Sequence, residues 1–452
     1  MNGISEVTER YLQLYKDNIE KISGISSKYI NSFRAGAFEK FRELGIPTKK
    51  NEAYKYTNLN IFFDHDYKSY FLPEESDFVK AEKFRCDVAD LDTHGIVLLN
   101  GFYPTINDKL RQLPSGVWVG SLNEAATKFA DKIEKHYGKY AKSETDGLIH
   151  LNTAMASDGI FIYVPEGVIL KKPIQIVDLV QADDDMFNQH RNLIIVEKSA
   201  EISLIICDHT LSPHKSLTNA VTEVFVGENA HFDIIRVQNE HNNAGKMTHT
   251  FIHQEKNSTA SSNNMTLHGG LIRNSTYHHL GGDGAESHSY GLFLADKFQH
   301  IDNFVNVDHA FPHCTSSQLF KGVLDDMATG AFNGRILVRP GAQGTLAYQK
   351  SNSILLTDDA KMDTKPQLEI FADDVKCSHG ATVGQLDSEA LFYLQSRGIN
   401  KREARLMLMF GFAHEVIQNI KIEPLRDRMD NLVMQRLKGD LSRCASCVVK
   451  CT

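Results

Sequence analysis

Short apolar runs separated by turn residues dominate the middle of the chain. Ile160-Phe-Ile-Tyr-Val164, Leu193-Ile-Ile-Val196, Ile202 to Cys207, Val221 to Val226, Ile234 to Val237 and Gly334 to Val338 are four to six residues long and rich in β-branched side chains. Runs of that length and composition predict strands, from about 148 to about 386. No ten-residue helical period lies between them, so alternating strand–helix units are excluded. The flanks differ. Leu12, Leu14, Tyr15, Ile19 and Ile22 recur at helical spacing, Phe33 to Leu44 predicts a helix ended by Gly45 and Pro47, and 123–138 predicts a second, charged helix. After Asp387 the pattern is helical again. Ser388 to Ser396 is one helix, capped by Asp387 or Ser388 and ended by Gly398. A longer one runs from Lys401, capped by Asn400, to about Ile420, and a third opens at Pro424 and ends at Gly439.

The strand region carries a weak internal repeat. An apolar residue, three turn-like residues and a small or branched residue recur as Val164-Pro-Glu-Gly-Val168, Val196-Glu-Lys-Ser-Ala200, Val226-Gly-Glu-Asn-Ala230, Val338-Arg-Pro-Gly-Ala342 and Leu356-Thr-Asp-Asp-Ala360. Repeated strand–turn units without helices point to a β-helix or related solenoid, in which each coil buries its face against the next. The spacing is irregular, and a β-sandwich is the plainer alternative. The expected organisation is a mainly helical region at 1–147, a β-helix core at 148–386 and a C-terminal helical domain at 387–452.

Size and charge narrow the function. A chain of 452 residues exceeds one compact core, so two or three structural units are expected. A net charge of −8 and the absence of a basic stripe argue against nucleic acid as a partner. No apolar segment follows a basic start, and no run of eighteen apolar residues occurs, so neither secretion nor a membrane span is expected. Seven cysteines, four of them scattered singly, do not look like a disulfide framework, and a reducing cytoplasm is the expected setting.

Candidate chemistry is sparse. There is no phosphate-binding loop, dinucleotide fingerprint or nucleophile elbow, so no nucleotide is expected on this chain. The Asp pairs at 325–326, 358–359 and 373–374 could serve a carbohydrate-active β-helix enzyme, but aspartate is also a natural turn residue. Nine of the twenty histidines fall between His249 and His313, which keeps a standalone metal-binding protein open. In Val375-Lys-Cys-Ser-His379, period 2 puts Cys377 and His379 on one strand face, where a thiol and an imidazole can ligate iron or zinc. The tail offers Cys444, Cys447 and Cys451, three thiols that need a fourth ligand to close a site.

The stretch from about 300 to 400 resembles the SufB/SufD family of the SUF iron–sulfur cluster assembly machinery. The resemblance rests on His300-Ile-Asp-Asn303, Asp308-His-Ala310, Pro312-His-Cys-Thr-Ser316, Phe320-Lys-Gly-Val323, Asn333-Gly-Arg335, Leu355 to Lys361, Pro366-Gln-Leu-Glu-Ile370, Ala372 to Gly384 and Leu391 to Gly398. Asn51 to Leu59, Leu151-Asn-Thr-Ala154 and Ser157-Asp-Gly159 fit as well. Cys-Ser-His-Gly-Ala-Thr at 377–382, and the lack of a thiol at 355–359, place the chain nearer the SufD branch. The resemblance implies a right-handed β-helix core and a non-catalytic scaffold role. It implies a SufB-like sibling paired through the β-helix and a SufC-like ATPase docked on the C-terminal helices. It also implies a transient iron–sulfur cluster at the junction, with His379 and Cys377 as candidate ligands. No family role falls on Cys444, Cys447 and Cys451, and a homodimer of the isolated chain remains open.

Overall fold

The computed structural model describes residues 5–69, 88, 91–103 and 110–439. The chain opens with α1 (Glu6–Ile25), α2 (Lys28–Ser32), α3 (Arg34–Leu44) and α4 (Asn60–Phe63). Ser5 caps α1 by accepting from the Thr8 amide, and Gly45 ends α3 at φ 68°. The charged segment near 123–138 is two helices, α5 (Leu122–Lys128) and α6 (Ala130–His136). They break at Phe129, whose ring turns onto Trp118, Phe161 and Tyr163 at 5.4–5.6 Å. Burial of that ring outweighs helix continuity. A further helix, α7 (Gly147–Met155), is capped by Asp146.

Twenty strands follow the order β1 (Lys68–Ser69), β2 (His94–Leu99), β3 (Leu110–Gln112), β4 (Trp118–Ser121), β5 (Ile160–Val164), β6 (Ile174–Val180), β7 (Met186–Val196), β8 (Glu201–Thr210), β9 (Ser216–Val226) and β10 (His231–Asn239). They continue as β11 (Ala244–Gln254), β12 (Thr259–His268), β13 (Leu271–Leu280), β14 (Glu286–Ala295), β15 (His300–His309), β16 (Thr315–Leu324), β17 (Thr329–Val338), β18 (Thr345–Leu355), β19 (Lys361–Ile370) and β20 (Val375–Gly384). From β5 onward, odd-numbered strands stack in one parallel sheet and even-numbered strands in another. The result is a β-solenoid of about eight coils, each coil contributing one strand to each sheet. Strands β2, β3 and β4 precede the region where sequence periodicity predicts strands. They are short and join the solenoid edges, with β3–β4–β5 antiparallel.

The repeat has a structural cause. Each odd strand from β5 to β17 ends in a tight corner with one residue in the left-handed region: Gly167, Ser199, Asn229, Asn257, Gly284, His313 and Gly344. Each of these amides donates to a carbonyl in the next coil at 2.7–3.1 Å, for instance Ser199 to Glu228, Asn229 to Lys256 and Gly344 to Asp374. Glycine and asparagine tolerate that backbone, which explains the corner composition. Between 230 and 338 the corners depart from that pattern in two ways: Gln254-Glu-Lys-Asn-Ser258 replaces the leading apolar residue, while Leu280 to Ala285 and His309 to Cys314 are one residue longer. Leu356-Thr-Asp-Asp-Ala360 lies at the opposite corner, between β18 and β19, and is not a member of this stack.

The helical N-terminal segment is pinned to the outer face of the odd-strand sheet. Tyr54 donates to Asp146 at 2.6 Å, the Arg273 guanidinium lies 3.9 Å over the Tyr54 ring, and Thr57 and Arg273 both bond Asp302. At the other end of the chain come α8 (Ser388–Ser396), α9 (Lys401–Ile417) and α10 (Glu423–Lys438). Asp387 and Asn400 cap α8 and α9, Pro424 sits in the first turn of α10, and Gly439 ends it left-handed. The last two helices lie on the outer face of the even-strand sheet. Met409, Ala413, Val416, Ile417, Met429 and Val433 pack on Ile205, Ile235, Met265 and Leu292. They flank the solenoid and do not cover its end.

Candidate functional site

Among the described residues, strand β20 is the last of its sheet and pairs with β18 alone. The register puts Ala347 beside Cys377, Gln349 beside His379, Ser351 beside Ala381 and Ser353 beside Val383. Ala347, Gln349, Ser351 and Ser353 are buried and face the solenoid interior. Parallel in-register neighbours point the same way, so Cys377 and His379 also point along the interior column. No further coil follows, so His379 is exposed and Cys377 half-buried. Cys377 packs on the small apolar cluster of Ile336, Val338 and Ala347. Burial pushes its thiol above the ordinary range. A neutral thiol becomes a ligand when a metal displaces its proton.

The column behind this mouth is polar. Gln349 Nε2 donates to Gln318 Oε1 at 2.8 Å, while Gln349 Oε1, Gln318 Nε2, Ser351 Oγ and Ser353 Oγ are buried without a partner. In the coil of Gln318, His309 Nε2 lies 2.9 Å from Ser316 Oγ, and one coil further in His278 Nε2 lies 3.1 Å from Ser289 Oγ. Burial holds His309 near a pKa of about 4 and His278 near about 3, so both are neutral at pH 7.

The histidine-rich stretch does not converge. His249, His278 and His309 are buried. His253 and His279 stack at 5.1 Å on the outer face of the odd-strand sheet, and His313 occupies a corner beside Asp283. Among the described residues, no group of three or more His, Cys, Asp or Glu is assembled to hold a metal. The paired aspartates lie in corners, where Asp325 accepts from the Asp326 amide and Asp326 from the Lys297 amide. Cys444, Cys447 and Cys451 lie outside the described residues.

Sequence reasoning missed a buried ion cluster inside the middle coils. Lys246 Nζ lies 2.8 Å from Asp178, 2.9 Å from Asp208 and 3.2 Å from Glu240, and Arg236 bonds both Asp208 oxygens. Burial opposes charge on Asp208, but Arg236 and Lys246 outweigh it and hold the carboxyl below its ordinary range. Glu240 is raised by burial and by the neighbouring carboxylates. Its signal was present as charged residues at inward alternate positions of strands, legible once strand phase was known.

The apolar surface of α9 is largely spent on the solenoid. Leu406, Phe410 and Phe412 are half-buried, Lys321 sits 4.2 Å over the Phe412 ring, and Glu415 bridges Lys321 and Lys350. What stays open is α8, which buries no residue, with Phe392 73% and Tyr393 57% exposed, and Met407 on α9 at 51%.

Two family models match the chain. Residues 179–412 match the SUF system FeS cluster assembly SufBD core domain, and residues 5–176 match the SufBD protein N-terminal region. The chain is 29% identical to an iron–sulfur cluster assembly SufBD family protein of Synechocystis, over 97% of this chain and 95% of the relative. It is 30% identical to the iron–sulfur cluster assembly protein SufD of Escherichia coli, over 87% and 90%. It is 26% identical to the iron–sulfur cluster assembly protein SufB of Bacillus subtilis, over 72% and 70%.

Proposed function

Because the chain belongs to the SufB/SufD family of the SUF iron–sulfur cluster assembly system, we propose that it is a SufD-type scaffold subunit with no turnover of its own. The open last coil pairs with the matching coil of a SufB-like sibling. Helices α8–α10 dock a SufC-like ATPase, for which exposed Phe392, Tyr393 and Met407 are the available apolar contacts. Cys377 and His379 offer one thiolate and one imidazole to a nascent cluster that the sibling completes. The functional division follows 1–147, 148–386 and 387–452, and a reducing cytoplasm keeps the thiols free.

The observation that carries this reading is the register of β20, which aims both candidate ligands out of the interior at the one coil with no successor. Two ligands from one subunit hold a cluster too weakly to keep it, which suits a site that must release its product. The sequence holds no phosphate-binding-loop or dinucleotide motif, which supports a partner ATPase as the source of energy for opening or closing the junction.

His379→Ala tests the reading in the reconstituted complex. His379 is exposed, so the variant should fold within about 1 kcal/mol of wild type and yet lose cluster formation, followed by visible absorbance. Wild-type yield would remove His379 from the site. ATP hydrolysis by the chain purified free of any ATPase subunit would overturn the scaffold assignment.

A further inference from the structure

A cavity of about 580 Å³ lies where α9 and α10 meet the flank of the solenoid. Its floor is apolar, with Leu294 and Val323 from the sheet and Met409 from α9. Its rim is cationic. Lys401, Arg402 and Arg405 come from the first turns of α9, and Arg436 and Lys438 from the last turn of α10. Arg436 is bonded to Asp296 at 2.8 Å. The other four cations have no ion-pair partner among the described residues, and the remaining carboxylate on the rim, Asp325, leaves an excess of positive charge.

The placement of these cations is costly. Arg436 and Lys438 sit at a helix C-terminus, where the dipole favours them. Lys401 and Arg402 occupy the first two positions of a 17-residue helix, at its positive end, where the dipole opposes them. Glu403 is the one acidic residue in that turn. Two helix ends therefore converge like-signed side chains on one concave space. We propose that this cavity binds a small multivalent oxyanion, of the phosphate or polycarboxylate class. The forks of Arg402 and Arg405 match such oxygens in pairs. The cavity volume admits a ligand of that size with a short carbon body against the apolar floor. A bound anion joins the start of α9 to the end of α10, so occupancy stabilises the folded chain.

Calorimetric titration of the full chain at low salt, with pyrophosphate in one arm and citrate in the other, tests the site and tells the two sources apart. At least one anion should bind saturably at one site and raise the melting temperature. Arg402→Gln combined with Arg405→Gln should weaken that binding at least tenfold, since glutamine keeps helix propensity but removes both charges. Arg405→Lys should fall between. Lys198→Gln, at an exposed corner, should bind as wild type. No saturable binding of either anion overturns the proposal. So does unchanged affinity in the double variant, or an equal loss in Lys198→Gln. If the double variant loses its helical circular dichroism, exposed Arg402→Gln alone decides, with at least a threefold loss expected and unchanged affinity overturning the site.

Discussion

The two ends of the solenoid are built from the same repeated unit and finished in opposite ways. At the first coil, β5 is covered by β4 and β3, and α5 and α6 lie over the outer face. Phe161, Leu193 and Ile195 are fully buried there, with Phe129 and Trp118 closing over them. At the last coil, β19 and β20 each have a neighbour on one side only among the described residues. Leu346, Tyr348, Ile370 and Phe371 are 37–62% exposed, and most of β20 is open. An uncovered strand edge is a template for further pairing. The last strands carry Lys361, Lys365 and Lys376, and Pro366 sits within β19, both devices that discourage indiscriminate pairing. A closed first end and a moderated open last end suit the proposed stacking against one partner.

The largest expected effect lies at the closed end. Phe161→Ala removes a fully buried ring between the first coil and its cover, and should cost ~3–5 kcal/mol. The check is the midpoint and slope of urea unfolding. A loss below about 1 kcal/mol would mean the cover does not hold the first coil.

An intermediate effect belongs to the polar interior that links the middle coils to the open mouth. Burial, with His288 and His309 nearby, lowers His278 from 6.5 to about 3. The folded chain therefore keeps His278 neutral while the unfolded chain takes up a proton as pH falls through about 6.5. Its contribution to stability is complete above that pH and is lost on acidification, by about 2 kcal/mol between pH 7 and pH 5. Asp158, raised by burial to about 6, works in the opposite sense below pH 6. Comparing His278→Gln with wild type isolates the histidine. The variant should show a shallower fall of stability between pH 7 and pH 5, and an identical slope would mean that site is hydrated.

The smallest effect on the isolated chain should come from the open end. Phe371→Ser replaces a ring that is 62% exposed and should stay within about 0.5 kcal/mol of wild type. The same variant should weaken association with a SufB-like sibling in size-exclusion runs of the mixed proteins. A large loss of stability together with unchanged association would reverse the contrast between the two ends.

Local rules were legible in the sequence wherever backbone chemistry dictates structure. Asn400, Asp387, Gly398 and Gly439 mark the C-terminal helices within a few residues, because caps satisfy the free amides and carbonyls of a helix end. The strands from Ile160 onward were legible because β-branched runs broken by left-handed corners leave few other conformations. Period 2 alone placed Cys377 and His379 on one face.

Tertiary structure decided the rest. Which face of β20 looks inward depends on in-register stacking over β18, a contact between residues thirty positions apart that no local pattern encodes. Phe129 breaks a helix that propensity would continue, because a stack of rings lies beneath it. Lys246 looks like a surface lysine in the sequence, and becomes the centre of a buried ion cluster only because three coils bring Asp178, Asp208 and Glu240 around it. The sequence by itself determined strand, corner, cap and family. Position in the stack determined whether the same inward-facing place on a strand is a filled interior or an open site, since burial depends on whether another coil follows.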